Sequence, residues 1–340
     1  MICTYIRSSS YNQYEYCQMS YFLTYNMGFR QPSGKKAQLG TVVHKVMEVL
    51  AKLKKKTQDE PKSKSLKIED DAIGDVSCTV KSLFTKSLIE KILKKSYEHY
   101  TSNCIHTYNN SDMKFCKDLV DLAIEYNNGQ FDPRYSNIVE AEPHFDIPIE
   151  EEWAKYEFTD KNGNLINGQL AIKGTIDLVT EVDDGIIEVV DYKTGRRLNW
   201  ATGEEKTYEK LCKDPQLLLY NYAISKLFPD YRQAIMSIFY IRDGGPFSMC
   251  FDSKDQKVFL EMLEKRFKQI KRNNFPQPIS PERNSFKCTK LCHFYKTKWP
   301  ETNETMCHYV ENHLKAFGYE ETVNKLADPN FDIGYYEAPG

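Results

Sequence analysis

Apolar residues recur every three or four positions in several stretches of the first third of the chain, a spacing that predicts packed helices. The first stretch, Tyr11 to Leu23, is rich in Tyr and Phe, and the second, Leu39 to Leu53, carries a stripe of Val and Leu. The same spacing from Ala72 to Asn128 predicts a block of helices. Charged residues crowd Lys52 to Asp71, where we therefore expect an exposed linker.

The pattern changes near Ile138, where short runs rich in Ile and Val replace the helical spacing. Strands are predicted over Val139 to Ile149, Leu170 to Val182, Ile186 to Lys193, Ala234 to Ile241 and Phe247 to Phe251. Helices are predicted over Gln216 to Leu227 and Ser253 to Arg272, and beyond Asn273 we expect irregular structure. This order predicts an α/β fold, with helices flanking a mixed central β-sheet and a helical insertion before it.

Composition and charge narrow the class of protein. The chain has 340 residues, of which 41% are hydrophobic and 28% charged, the balance of a folded globular protein. A net charge of −2 excludes a uniformly basic nucleic-acid coat but allows a local basic groove. No apolar run approaches the roughly 18 residues of a membrane span, and the first ten residues lack the pattern of a leader. We therefore expect a cytoplasmic protein that does not enter a membrane.

The sharpest feature of the sequence is a predicted hairpin that carries two aspartates. If its turn has three residues and ends at a left-handed Gly185, residues equidistant from the turn pair across the strands. Asp177 then falls opposite Asp191. Lys193 follows Asp191 by two positions and shares its face of the strand, whereas Tyr192 points to the other face.

Two opposed carboxylates destabilise a sheet unless something compensates their charge, and a divalent cation would do so. Carboxylate oxygens suit Mg²⁺ or Mn²⁺, which can hold a phosphate oxygen and lower the pKa of an attacking water. This chemistry is that of phosphodiester hydrolysis. Lys193 could orient or deprotonate the water, or neutralise charge that develops on phosphorus. The alternative is a surface hairpin whose Asp and Lys residues are simply solvated.

Four motifs, taken together, resemble the RecB-like branch of the PD-(D/E)XK nuclease superfamily. They are Gly40-x-x-x-His44, Gly174-x-x-Asp177, Asp191-Tyr192-Lys193-Thr194-Gly195 and Gln216-x-x-x-Tyr220. The resemblance implies a restriction-endonuclease-like core, and it implies Mg²⁺ or Mn²⁺ bound by His44, Asp177, Asp191 and the main-chain carbonyl of Tyr192. It further implies that Lys193 is the catalytic lysine and that Gln216 and Tyr220 orient the substrate and that lysine.

The resemblance also implies DNA as the substrate and a single nuclease domain over residues 1–340. Its parts are N-terminal helices with the His motif (1–55), a helical insertion (72–128), the nuclease core (138–272) and a cysteine-containing C-terminal segment (273–340). Glu142 resembles the acid that the family carries on a strand before the Gly-x-x-Asp motif. The expected activity is that of an exonuclease on single strands or duplex ends in recombination, repair or CRISPR-type processing, with a helicase or a recombination or CRISPR protein as partner.

Two other readings of the sequence stay open. One is a catalytically idle nuclease fold that serves as the DNA-binding subunit of a larger complex. The other is an unrelated hydrolase, because Lys193-Thr194-Gly195 and Ser33-Gly34-Lys35-Lys36 match short motifs of penicillin-binding enzymes. The second reading leaves Asp177 and Asp191 without a task.

Four of the ten cysteines form a further candidate site. Cys288, Cys292 and Cys307 follow the core, and Cys17 lies in the aromatic N-terminal stretch, an arrangement that resembles AddB-type and CRISPR-associated iron-sulfur exonucleases. The resemblance implies a [4Fe-4S] cluster on these four thiolates, although the spacing of the C-terminal cysteines differs from the family's usual pattern. Four thiolates suit Zn²⁺ equally, with His293 or His308 able to replace one, and unliganded cysteines are the third possibility.

Overall fold

The computed structural model describes residues 1–102, 104–160, 162–198, 203–296 and 304–328. Its strands are β1 (Tyr5–Ile6), β2 (Ser65–Ile68), β3 (Val76–Thr79), β4 (Asn137–Ala141), β5 (His144–Pro148), β6 (Lys155–Thr159), β7 (Leu165–Gln169), β8 (Ala171–Thr175), β9 (Leu178–Asp183), β10 (Ile186–Lys193), β11 (Gln233–Tyr240) and β12 (Gly245–Cys250). Its α-helices are α1 (Ser8–Tyr16), α2 (Gln18–Tyr21), α3 (Lys35–Asp59), α4 (Lys86–Ser102), α5 (Asn110–Glu125), α6 (Tyr208–Leu211), α7 (Pro215–Leu227), α8 (Ser253–Arg272), α9 (His293–Lys296) and α10 (Met306–Leu326).

A mixed five-stranded sheet forms the centre of the fold, in the order β12-β11-β10-β9-β4. Strand β10 runs parallel to β11 and antiparallel to β9, and the two outer pairs of the sheet are antiparallel. This arrangement confirms the predicted α/β fold with a mixed central sheet. Along β10 the side chains alternate between two hydrophobic cores: Val189 belongs to one, and Val190 and Tyr192 belong to the other.

Helices cover both faces of the central sheet. The core that contains Val189 also includes the apolar residues of α7 and α8, and the core that contains Tyr192 includes those of α3, α4 and α5. Helix α3 is amphipathic, and its buried stripe includes Val42, Val46 and Leu50. The central sheet is therefore packed between one layer of helices that precede it in the sequence, α3 to α5, and a second layer that consists of α7 and α8.

A second, smaller sheet adjoins the first and has the order β1-β8-β5. Strand β8 belongs to it, whereas β9, which follows almost immediately, belongs to the central sheet. Ile176 and Asp177 make the connection, and Asp177 lies in a bend directly before β9. The chain thus changes sheets at the aspartate that the sequence analysis singled out.

The prediction of a linker over Lys52 to Asp71 is wrong. Helix α3 continues to Asp59, and its last turns carry the ion pairs Lys55–Asp59 and Lys56–Glu60 on the exposed side. Beyond it, β2 pairs with β3 and buries Leu66 in the helical core. The insertion over 72–128 is accordingly not wholly helical, because β3 lies within it.

The expectation of irregular structure beyond Asn273 is also wrong for part of that segment. Helix α10 extends from Met306 to Leu326 and buries Met306, Val310 and Leu314, which lie four residues apart on one face. Residues 297–303 and 329–340 of the predicted C-terminal segment lie outside the described residues. None of the helices in the described part of the chain combines the length and apolar character that a bilayer crossing requires.

Candidate active site

The β9–β10 hairpin sets the relative position of the two aspartates. The strands pair antiparallel through Val189↔Val179 and Val190↔Leu178, and the next position of this register sets Asp191 against Asp177. The loop differs from the predicted one: Asp183 pairs with Ile186 around a two-residue turn, and an irregularity beside it restores the predicted register. Gly185 has a φ of +68°, as predicted for the left-handed position of this turn.

Asp177 joins α3 to the central sheet. Its Oδ1 lies 3.1 Å from His44 Nδ1, and its Oδ2 accepts a hydrogen bond of 2.8 Å from the backbone N–H of Tyr192. Burial opposes the charged form of His44, but the Asp177 carboxylate outweighs it and holds the pKa of His44 above its usual value. Burial likewise opposes ionisation of Asp177, yet His44 and the Tyr192 N–H hold the pKa of Asp177 below its usual value.

Asp191 and Lys193 form the second pair, on the face of β10 that looks toward α7. Lys193 Nζ lies 2.6 Å from Asp191 Oδ2, and Asp191 is only 3% exposed. Burial raises the pKa of the Asp191 carboxyl, against the lowering effect of Lys193. Asp191 Oδ2 accepts no well-aligned hydrogen bond from any described residue. The carboxylate is therefore held by an ion pair that leaves coordinating capacity on a buried oxygen.

Helix α7 contributes the two predicted substrate-binding side chains. Gln216 Oε1 lies 3.3 Å from Lys193 Nζ, and Gln216 Nε2 lies 3.3 Å from Asp191 Oδ1. The same Nε2 donates to the hydroxyl of Tyr220 at 2.9 Å, and that hydroxyl donates to the carbonyl of Thr175 at 2.8 Å. Because Gln216 and Tyr220 lie one helical turn apart, both reach the sheet from one face of α7. The sequence prediction placed both residues beside Lys193 but did not identify Thr175 as their anchor.

Two motif glycines allow close approaches around the site. A Cβ added at Gly40 of α3 would lie 2.7 Å from Thr194 Oγ1, so α3 passes directly against the residue that follows Lys193. A Cβ added at Gly174 would lie 2.5 Å from the ring of Phe145. The glycines of the His motif and of the Gly-x-x-Asp motif thus have steric reasons to lack a side chain.

The side chains that the sequence analysis assigned to a metal are of types that suit Mg²⁺ or Mn²⁺. Asp177 and Asp191 supply carboxylate oxygens, a buried Asp191 oxygen has coordinating capacity to spare, and His44 adds a nitrogen. In the arrangement described, protein donors occupy much of this capacity: Asp177 faces His44 and the Tyr192 N–H. Among the described residues, no group of three or more His, Cys, Asp or Glu side chains is close enough to surround one ion.

Sequence reasoning missed a charged cluster beside the site. Glu48 lies one turn after His44 on α3 and is 6% exposed, with Lys45 Nζ 2.5 Å from its Oε2. Lys52 Nζ also contacts Glu48, and it lies 3.9 Å from Glu142 Oε2. A glutamate at a core-facing position of an apolar helix is the signal that could have revealed this cluster.

Glu142, the weaker family match, lies in the bend between β4 and β5 and has a φ of +55°. Its N–H donates to the carbonyl of Asp177 at 3.1 Å, and its side chain shares a hydrogen bond with Glu48. Burial, together with Glu48, raises the pKa of Glu142 to about 7. Glu142 therefore supports the Asp177 bend through its backbone, while its side chain points to the Glu48 cluster.

The four predicted cysteine ligands line one cavity. Cys17, Cys288, Cys292 and Cys307 surround it together with Tyr16, Phe294 and other residues, and neither His293 nor His308 is among the described residues that line it. Burial raises the pKa of Cys292 to about 12 and that of Cys307 to about 11. Cys17 is thus brought to three cysteines that follow it by more than 270 residues.

Comparison with known proteins identifies the family of the chain. The family model of the PD-(D/E)XK nuclease superfamily matches residues 8–296, a range that includes His44, the hairpin and α7. Among curated proteins, none matches the sequence. A crystal structure of a "Putative exonuclease" from Eubacterium rectale is similar at a TM-score of 0.42 and 12% identity, over 79% of this chain and 80% of that one.

Proposed function

Because the chain belongs to the PD-(D/E)XK nuclease superfamily, we propose that it is a metal-dependent deoxyribonuclease, acting as an exonuclease on single strands or duplex ends. One observation carries the proposal: the ion pair of Asp191 and Lys193 lies against Gln216, at the end of a hairpin whose other aspartate contacts His44. Three separated segments of the chain thus meet where a phosphodiester could be bound and cut.

The proposed metal is Mg²⁺ or Mn²⁺, held by His44, Asp177, Asp191 and the main-chain carbonyl of Tyr192. When bound, such an ion polarises a phosphoryl oxygen and makes a water acidic enough to attack phosphorus. The buried Oδ2 of Asp191, which contacts Lys193 and accepts no well-aligned hydrogen bond from a described residue, supports this assignment. So does the chemistry of the donor set, in which oxygen predominates.

Lys193 is proposed to stabilise negative charge that develops on the scissile phosphate. Its ammonium group is held by Asp191 at 2.6 Å and by Gln216 at 3.3 Å, so its position is defined before a substrate arrives. Gln216 keeps that position through its own contact with Tyr220. Tyr220 in turn is anchored to the backbone of β8, which makes it a positioning residue for Gln216.

We also propose a structural [4Fe-4S] cluster on Cys17, Cys288, Cys292 and Cys307. All four cysteines line one cavity, which supports this proposal, and in the arrangement described no three of their thiols are close enough to surround one ion. Such a cluster would join the N-terminal helices to the segment that follows α8. Its role would be structural, to hold the ends of the nuclease core together. A catalytic role is not proposed, because among the described residues the cavity shares no lining residue with the Asp177 and Asp191 site.

The function is tested with labelled linear and circular DNA, each single-stranded and double-stranded, and with matched RNA. Each is incubated with the purified protein and Mg²⁺, Mn²⁺ or EDTA. We expect metal-dependent release of nucleotides from linear DNA, with circles and RNA spared. Cleavage of circles would overturn the exonuclease assignment, preference for RNA would overturn the DNA assignment, and activity in EDTA would overturn the dependence on metal.

A further inference from the structure

A cavity of about 670 Å³ is lined by consecutive residues of β5 and β8, next to the candidate active site. Gly174, Thr175 and Tyr220 line the end nearest that site, and Asp177 follows Thr175 by two residues. Tyr220 is common to the cavity and to the hydrogen-bond chain that leads through Gln216 to Lys193. Tyr220 therefore connects the cavity to the candidate active site.

The sheet register brings two cations together in the cavity. Strand β1 pairs parallel with β8 through Tyr5↔Ala171 and Ile6↔Ile172; Arg7 directly follows β1, and Lys173 is the next residue of β8. Both cations also approach the same aromatic ring, with the Arg7 guanidinium carbon 5.7 Å and Lys173 Nζ 5.3 Å from the centre of the Tyr5 ring. Both residues also line the cavity, so an anion bound there would be attracted by both charges.

Carboxylates of the protein do not fully neutralise the positive charge of the residues that line the cavity. Asp146 of β5 lies directly opposite Lys173 of β8, with Asp146 Oδ2 2.6 Å from Lys173 Nζ. The side chain of Asp146 is 60% exposed. No carboxylate in the described ranges lies within ion-pair distance of Arg7. A solvent-exposed ion pair such as Lys173–Asp146 is weak, so a phosphate can share Lys173 at low cost.

Two buried aromatic residues, Phe145 and Tyr220, are among the residues that line the cavity. The ring of Phe145 packs against Gly174, and its centre lies 6.3 Å from that of Tyr220 in an edge-to-face contact. At the rim, His144 Nδ1 lies 2.7 Å from Thr175 Oγ1. Because both rings are buried, the polar and cationic side chains of the cavity are its contacts for a bound group, and they suit a backbone phosphate.

We propose that this cavity binds a backbone phosphate of the substrate strand next to the bond that is cut, with Arg7 and Lys173 as its positive contacts. The inference rests on the proposed nuclease function and adds a location and two substrate-positioning residues to it. Asp146 opposes the phosphate and limits the affinity of the site.

The test measures binding of a fluorescent single-stranded dT oligonucleotide in EDTA over a range of salt concentrations, and its cleavage in Mn²⁺. We expect Arg7→Ala and Lys173→Ala each to weaken binding about three- to tenfold and to reduce the salt slope, with a loss of about 0.7 when both are replaced. KM rises while kcat is retained. Asp146→Asn should bind more tightly, a result that misfolding would not produce.

Lys117→Ala provides the matched control, since Lys117 is also ion-paired on the surface, with a side-chain exposure of 39% against 33% for Lys173. If the Arg7 and Lys173 variants cleave DNA and bind it with the affinity and salt slope of the wild type, the inference is overturned while the proposed nuclease function stands. An equal loss in Lys117→Ala would also overturn it, because binding would then reflect overall charge. A wild-type protein that neither binds nor cuts DNA would instead overturn the proposed function.

Discussion

Gly40 lies against Thr194, so close that a Cβ at residue 40 would be 2.7 Å from Thr194 Oγ1. This contact joins the helix that carries His44 to the residue that follows Lys193. We expect Gly40→Ala to push α3 away from the end of β10 and to reduce kcat/KM about tenfold or more, because small displacements of reacting groups are costly. Cleavage kinetics and thermal unfolding measure the effect.

The control for this prediction is the double variant Gly40→Ala/Thr194→Ala, which removes the clashing oxygen. It should recover part of the lost activity relative to Gly40→Ala alone. Alanine favours a helix over glycine by roughly 0.5 to 1 kcal/mol, so a Gly40→Ala protein that is more stable and fully active would show that the contact is unimportant.

Gly174 has a comparable relationship with Phe145, and here the consequence is expected in stability. Gly174→Ala places a methyl group 2.5 Å from a ring that is 5% exposed, which should reduce the free energy of unfolding by roughly 1 to 3 kcal/mol. Phe145→Leu in the same protein should relieve part of this loss. Gly195→Ala is the matched control, because a Cβ there meets nothing within 4 Å. Equal denaturation midpoints for the two glycine variants would refute the steric argument.

Glu188 of β10 gives a prediction about pH. Burial raises its pKa, and the hydroxyl of Ser237, which donates to Glu188 Oε1, only partly opposes that effect. A carboxyl whose pKa is higher in the folded state binds more protons when folded, so its contribution to stability is lost as pH rises. The loss begins near the ordinary glutamate pKa of 4.5 and continues through the raised pKa of Glu188.

Replacement of Glu188 by Gln removes this titration. We expect the profile of Tm against pH for Glu188→Gln to be flatter than that of the wild type above pH about 4.5, with greater relative stability at the alkaline end. The exposed Glu157→Gln on β6 should leave the profile unchanged. A steeper profile for Glu188→Gln than for the wild type would reverse the sign and contradict the account.

The cysteine cavity predicts a metal-dependent fold. Protein purified without oxygen should contain iron and inorganic sulfide and absorb visible light, and Cys288→Ser should lose these properties together with several degrees of Tm. Cys250→Ser, which changes an exposed cysteine, should lose none of them. Zinc in place of iron would identify the alternative site, and equal metal content and Tm in both variants would remove the cluster from the account.

Local sequence patterns predicted those parts of the fold whose signal is local. Helix α8 was predicted over Ser253–Arg272, where a clear apolar period lies between an Asp252 cap and a basic last turn. The Asp177–Asp191 register was predicted from distance to a turn, even though the turn itself differs. By contrast, the end of α3 was not predicted. Its charged residues form exposed i,i+4 ion pairs, and in the sequence such a run of charges resembles a solvated loop.

The candidate site depended on more than local pattern. His44 and Asp177 are 133 positions apart, and no periodicity connects them, so their contact was predicted only from the family resemblance. The buried Glu48 and the anchoring carbonyl of Thr175 were not predicted at all. Predicting the role of Glu48 requires knowledge of which residues pack against α3. The Thr175 carbonyl is a backbone atom, and every residue type has one, so the sequence does not mark it.

The most direct test of the central claim compares the wild type with Asp191→Asn, which keeps the shape of the side chain but removes its charge. Linear DNA is supplied with Mn²⁺, and binding is measured separately in EDTA. We expect Asp191→Asn to lose cleavage about a hundredfold or more while it retains DNA binding, and the surface variant Asp118→Asn to match the wild type. Wild-type cleavage by Asp191→Asn, or wild-type cleavage that persists in EDTA, would contradict the account.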